Sequence, residues 1–135
     1  MALTTDEIRR AAERLHQAEK TRRQIRQISL DHPGMTIADA YAIQKAWIDI
    51  KVTEGRIIKG HKIGLTSRAM QSALDIDEPD SGILLDEMFF ADGGLVPADR
   101  FIATRVEADL ALILNPPWAV PACTPLPRPN PTRVA

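Results

Sequence analysis

Seven of the chain's ten prolines fall within its last twenty-one residues, NPPWAVPACTPLPRPNPTRVA, directly behind its most strand-like stretch, FIATRVEADLALIL. Proline lacks the N–H that a sheet ladder needs and fixes its own φ, so residues 115–135 do not continue a sheet begun at 101–114. The chain is therefore divided into 1–114, patterned as a folded domain, and 115–135, an irregular proline-rich tail. Two origins fit the tail. It is either a natural segment that docks as a polyproline helix around Pro127-Arg128-Pro129-Asn130-Pro131, or the product of a reading-frame shift before an early stop. The second is preferred, because a strand needs partners and none follow.

Ahead of that boundary the patterning is mixed. Thr4 and Glu7 have capping-box spacing, and Ile8, Ala11, Ala12, Leu15 and Ala18 recur at helical intervals among charges, which predicts an amphipathic helix from about 5 to 27. His32-Pro33-Gly34 breaks it. Thr36 then caps a second helix carrying Ile37, Ala40, Tyr41, Gln44, Trp47 and Ile48, ending near Glu54-Gly55. The glycine-punctuated alternation of IIKGHKIGL predicts a strand over 57–65, with Thr66 or Ser67 capping a short helix through Leu74. Ile83-Leu84-Leu85 and Met88-Phe89-Phe90 read as short strands, and 101–114 as the clearest strand of all. The class is α+β.

Seventeen basic against eighteen acidic residues leave a net charge of −1, which gives no electrostatic footprint for nucleic acid or an anionic membrane. A small-molecule partner is expected. The N-terminus has no apolar leader and no run approaches the roughly 18 apolar residues of a membrane span, so the expected location is cytoplasmic. Cys123 is the single cysteine, which excludes an internal disulfide and a cysteine-built zinc site.

Period-two geometry over 101–114 puts Arg105, Glu107 and Asp109 on one face. Two carboxylates side by side can hold a hard cation such as Mg²⁺, although an E-x-D pair is more commonly a solvated face, and Arg105 can neutralise the pair instead. Lys62, among Ile58, Ile63 and Leu65, reads as partly buried, which would lower its pKa and suit it to proton transfer; the plainer reading is an edge-strand lysine that discourages aggregation. His61 is a base or ligand on one reading and a surface residue on the other. Asp80 is a second proton carrier or a turn former.

The stretches ISLDHPGMTIADAYAIQKAWIDIKVTEGRIIKGHKIGLTSRAMQ, EPDSGILLDEMFF and RVEADLALIL, in that order, resemble the hydratase/decarboxylase family of the fumarylacetoacetase-like superfamily, over about residues 5–114. The wording around GHKIGLTS and EPDSG is most similar to the seven-carbon dioate hydratases of homoprotocatechuate meta-cleavage. The resemblance implies a lyase of aromatic catabolism that hydrates 2-hydroxyhepta-2,4-diene-1,7-dioate to 4-hydroxy-2-oxoheptanedioate with Mg²⁺ or Mn²⁺. It implies Lys62 as the active-site lysine, Asp80 as its acid/base companion, and Glu107 and Asp109 as metal ligands, the family having glutamate where Asp109 stands. A third ligand follows further on in such proteins. Arg68 is the candidate cation for the distal carboxylate.

The implied fold is a set of N-terminal helices beside a mixed β-roll, with 1–114 forming only its first part, and family members are homo-oligomers. The expectation is therefore low activity and poor solubility for the isolated chain, since an incomplete roll leaves unpaired sheet edges. A sibling five-carbon hydratase, an oxalocrotonate decarboxylase and a non-catalytic partner subunit are the alternatives.

Overall fold

The computed structural model describes residues 2–113. The expected proline-rich tail, 115–135 with Cys123, lies outside the described residues. The chain forms two units, Met1–Thr104 and Arg105–Ala135. Among the described residues the first unit is a mixture of helices and a small antiparallel sheet, as the α+β reading requires.

Helix α1 (Thr5–Thr21) begins at a complete capping box: Glu7 N–H donates to Thr4 Oγ1 at 3.3 Å, and Thr4 N–H donates to Glu7 Oε2 at 2.8 Å. It ends six residues before the expected limit of 27. Arg22 turns left-handed at φ 52, and Arg23 N–H closes onto the Ala18 carbonyl at 3.1 Å. The apolar stripe itself stops at Ala18, and the charged run that follows gives a continued helix no face to bury. A single helical turn, α2 (Ile28–Asp31), intervenes before α3 (Ile37–Thr53).

Helix α3 opens with a second capping box, in which Asp39 accepts from both the N–H and the hydroxyl of Thr36 at 2.9 and 2.7 Å. The same buried carboxylate accepts the Leu3 N–H at 3.0 Å, so one side chain caps α3 and pins the chain entering α1. Those backbone and hydroxyl donors hold its pKa below the ordinary aspartate value. Ala11 and Ala12 of α1 pack on Ile43 of α3, flanked by Ile8, Leu15, Trp47 and Ile50. Alanine at the contact lets the two helices approach closely.

Strands β1 (Ile58–Gly64) and β2 (Asp80–Leu85) pair antiparallel, joined through helix α4 (Arg68–Leu74). Their open end is closed by Ile57 and Asp86: Asp86 N–H donates to the Ile57 carbonyl at 2.9 Å, and Ile57 N–H to Asp86 Oδ1 at 3.1 Å. Leu85, fully buried, seals this end from below. Beyond it a 3-10 turn, Asp86–Met88, replaces the strand expected around Met88.

The buried ammonium of Lys51 ties that turn to the helices. It pairs with Glu19 of α1 at 2.6 Å and Glu87 at 2.9 Å, and lies 5.5 Å from the Trp47 ring centroid. Arg56 adds a second contact to Glu87 at 3.1 Å. Burial alone would lower the Lys51 pKa, but the hydrogen bonds to Glu19 and Glu87 outweigh it and leave the ammonium above its usual value. Glu87 is held below its usual value, chiefly by the Lys51 hydrogen bond.

The largest departure concerns 101–114. Among the described residues the sheet has two strands only, and 101–113 join no ladder. Alternation records which way side chains point, but a strand exists only where a neighbouring backbone takes its N–H and C=O groups. Val106, Leu110 and Ile113 are correspondingly almost wholly exposed. Among the described residues no helix is long and apolar enough to cross a membrane.

Two outcomes are expected from urea unfolding. Ile43→Ala should cost about 3 kcal/mol through the cavity left in the helix seam. Lys51→Met should cost about 2 kcal/mol, less than a fully buried pair because Glu19 remains two-fifths exposed. The pH dependence follows from the signs. Glu87, depressed from 4.5, stabilises above that value and loses its contribution as pH falls through its folded pKa; Lys51, raised from 10.5, stabilises below that value and loses its contribution above it. Lys51→Met should therefore flatten the alkaline fall in stability.

Candidate active site

Because side chains alternate along a strand, the register of β1 and β2 decides which residues share a face. Lys62 lies opposite Gly82, and Gly64 opposite Asp80. Lys62 and Asp80 are thus diagonal neighbours on one face, about 7 Å apart at the backbone, which a lysine side chain spans. The other residues of that face are Gly60, Gly64, Gly82 and Leu84. A Cβ at Gly60 or Gly82 would meet nothing within 4 Å, whereas one at Gly64 would overlap Oδ1 of Asp80, with Cγ at 3.1 Å. A side chain at 64 would displace the Asp80 carboxylate, so Gly64 is the slot in which that carboxylate lies.

The chain leaves this slot through Leu65, held at φ 51. A leucine in the left-handed region is strained by roughly 1–2 kcal/mol. Gln71 of α4 secures the kink by donating to the Leu65 carbonyl at 2.6 Å, and Ser67 caps α4 by accepting the Met70 N–H at 3.2 Å. GHKIGLTS is thus one continuous device of strand, slot, kink and helix cap. The strain at Leu65 was not legible in the sequence, where leucine gives no warning of a positive φ.

Lys62 and Asp80, singled out in the sequence, are brought together. Other expectations change. Lys62 is exposed rather than partly buried, and Ile58 and Ile63 beside it are about half exposed. His61 pairs with Ile83 on the opposite face of the sheet, away from Lys62. Arg68 is the exposed first residue of α4. Glu107 and Asp109 belong to the second unit, in irregular and exposed backbone rather than on the strand expected there. Among the described residues no group of three or more His, Cys, Asp or Glu is arranged to hold a metal ion.

No protein-family profile matches the chain. Two solved structures of 4-oxalocrotonate decarboxylase from Pseudomonas putida G7 are 35% identical to it and superpose with a TM-score of 0.61 over 63% of this chain and about a third of theirs; one is complexed with calcium and acetate, the other with magnesium and adipate. The 2-keto-4-pentenoate hydratase of Paraburkholderia xenovorans (strain LB400) is 37% identical over 84% of the chain. The chain belongs to the hydratase and decarboxylase family of enzymes that these proteins represent. Within that family, it is 59% identical over 113 residues to the 2-oxo-hept-4-ene-1,7-dioate hydratase of Escherichia coli. That match takes in 84% of this chain and 42% of the relative, so the chain spans about two fifths of the length of the curated relatives it matches.

The left-handed kink has a direct test. Leu65→Val places a β-branched residue at φ 51 and should destabilise by about 1–2 kcal/mol more than Leu65→Gly, which adopts that φ freely. Guanidinium unfolding of the two variants measures the difference.

Proposed function

We propose that this chain supplies the lysine and first carboxylates of a metal-assisted hydratase acting on 2-hydroxyhepta-2,4-diene-1,7-dioate, within the β-roll architecture of the fumarylacetoacetase-like superfamily. The observation that carries the reading is the sharing of one sheet face by Lys62 and Asp80, with glycines at three of the four remaining positions. The 59% identity to a hydratase of that name supports the seven-carbon substrate over the five-carbon one.

Glu107 and Asp109 offer hard oxygen donors one residue apart, a donor set suited to Mg²⁺ or Mn²⁺ with water completing the coordination. The structural relatives complexed with calcium or magnesium favour a divalent cation. When bound, such an ion acts as a Lewis acid toward a 2-oxo acid. Lys62 and Asp80 would move the protons: one leaves the 2-hydroxyl of the dienol and one is delivered at C5, giving an α,β-unsaturated ketone. C4 is then conjugated to the ketone and electrophilic, and water adds there to give 4-hydroxy-2-oxoheptanedioate. The open space above Gly60 and Gly82 leaves room for a flat conjugated acid beside Lys62. The enzyme would work in the cytoplasm as a homo-oligomer.

A chimera tests this. The matched 113 residues replace their counterparts in the Escherichia coli hydratase, and turnover is followed on both the heptadienedioate and oxalocrotonate. Hydration of the heptadienedioate is expected, with Lys62→Ala lowering kcat by about 10²–10⁴-fold, the range of general acid–base catalysis. Preferential loss of CO₂ from oxalocrotonate would instead favour the decarboxylase reading, which the 35% identity to the solved decarboxylases keeps in play. A folded chimera inactive on both would end the proposal.

A further inference from the structure

The residue after Asp80 is gripped from an unexpected side. Ser81 pairs with Ile63 across the sheet, yet its N–H donates to Tyr41 Oη at 3.1 Å, and its carbonyl accepts from Gln44 Nε2 at 3.1 Å. In an antiparallel strand the N–H and C=O of one residue point to the same side, so both groups of Ser81 face away from β1, along the outer edge of β2. Tyr41 and Gln44, three apart on α3, lie on one helix face and occupy that edge as a neighbouring strand would. A recess of about 250 Å³ opens at this junction, lined by Tyr41, Gln44, Leu65, Ile76, Pro79 and Asp80.

We infer that Tyr41 and Gln44 are positioning residues for Asp80. They fix the first peptides of β2 against α3, while Gly64 on the other strand leaves the slot that receives the carboxylate. Both act through the Ser81 backbone. Two elements far apart in sequence thus set the carboxylate from opposite edges of the strand, which matters for function because Asp80 is read above as the partner of Lys62.

The test uses the full 135-residue chain with Tyr41→Phe and Gln44→Ala, both mild changes at partly exposed positions. Amide hydrogen exchange reports on Ser81, and carbodiimide labelling read by mass spectrometry reports on each carboxylate. Tyr41→Phe should speed Ser81 exchange by about tenfold through local opening. In both variants the labelling rate of Asp80 should change severalfold, in the same direction as in Gly64→Ala, while Asp75 and Asp99 keep their parental rates. Faster Ser81 exchange with Asp80 unchanged would mean that the contacts only seal a sheet edge, and would overturn the inference. So would unchanged Ser81 exchange, or a uniform change at every carboxylate. These readouts follow the strand and the carboxylate rather than turnover, so an inactive chimera leaves their outcome standing.

Discussion

Helix α3 holds β2 at both ends, and the arrangement of the first unit follows from that. At one end Tyr41 and Gln44 take the outward backbone groups of Ser81; at the other Lys51 binds Glu87, one turn past Leu85. Only the second hold is ionic, and it is partly sheltered, because the ammonium is buried and ion-paired with two carboxylates. Such a cation keeps one partner if either carboxylate is lost, and only the loss of both would leave its buried charge without compensation. The two holds turn a two-stranded ladder, marginal by itself, into a fixed platform.

Much of this architecture was legible in the sequence where local chemistry dominates. Thr4 with Glu7 forms the expected capping box, Thr36 caps α3 with Asp39 completing the box, and of Thr66 and Ser67 it is Ser67 that caps α4, because the partners are three residues apart and need no tertiary help. The end of α1 was misjudged because Arg22 and Arg23 tolerate a helix, whereas the apolar stripe stops at Ala18 and the backbone turns left-handed at Arg22. The span 101–113 failed differently. Its alternation is genuine, but strand formation is a property of two backbones, and one segment carries no information about the second.

The site divides along the same line. Lys62 and Asp80 could be named from the GHKIG and EPDSG motifs, yet their shared face depends on a register that sequence alone does not give. The same register moves His61 to the far side of the sheet. What escaped sequence reading altogether was the supporting cast: Gly64 as a slot, Leu65 as a strained kink, and Tyr41 and Gln44 as holders of a neighbouring peptide. Each is an ordinary residue whose role arises from what lies next to it.

The alanine seam between α1 and α3 gives this layout a lever. Ala12 has no exposed surface and rests against the helix that grips β2 at two points. A bulkier side chain there would wedge the helices apart, and because α3 is the common support, the tilt would be carried to the peptide beside Asp80. Displacement of the sheet face can therefore originate in a methyl group buried between helices.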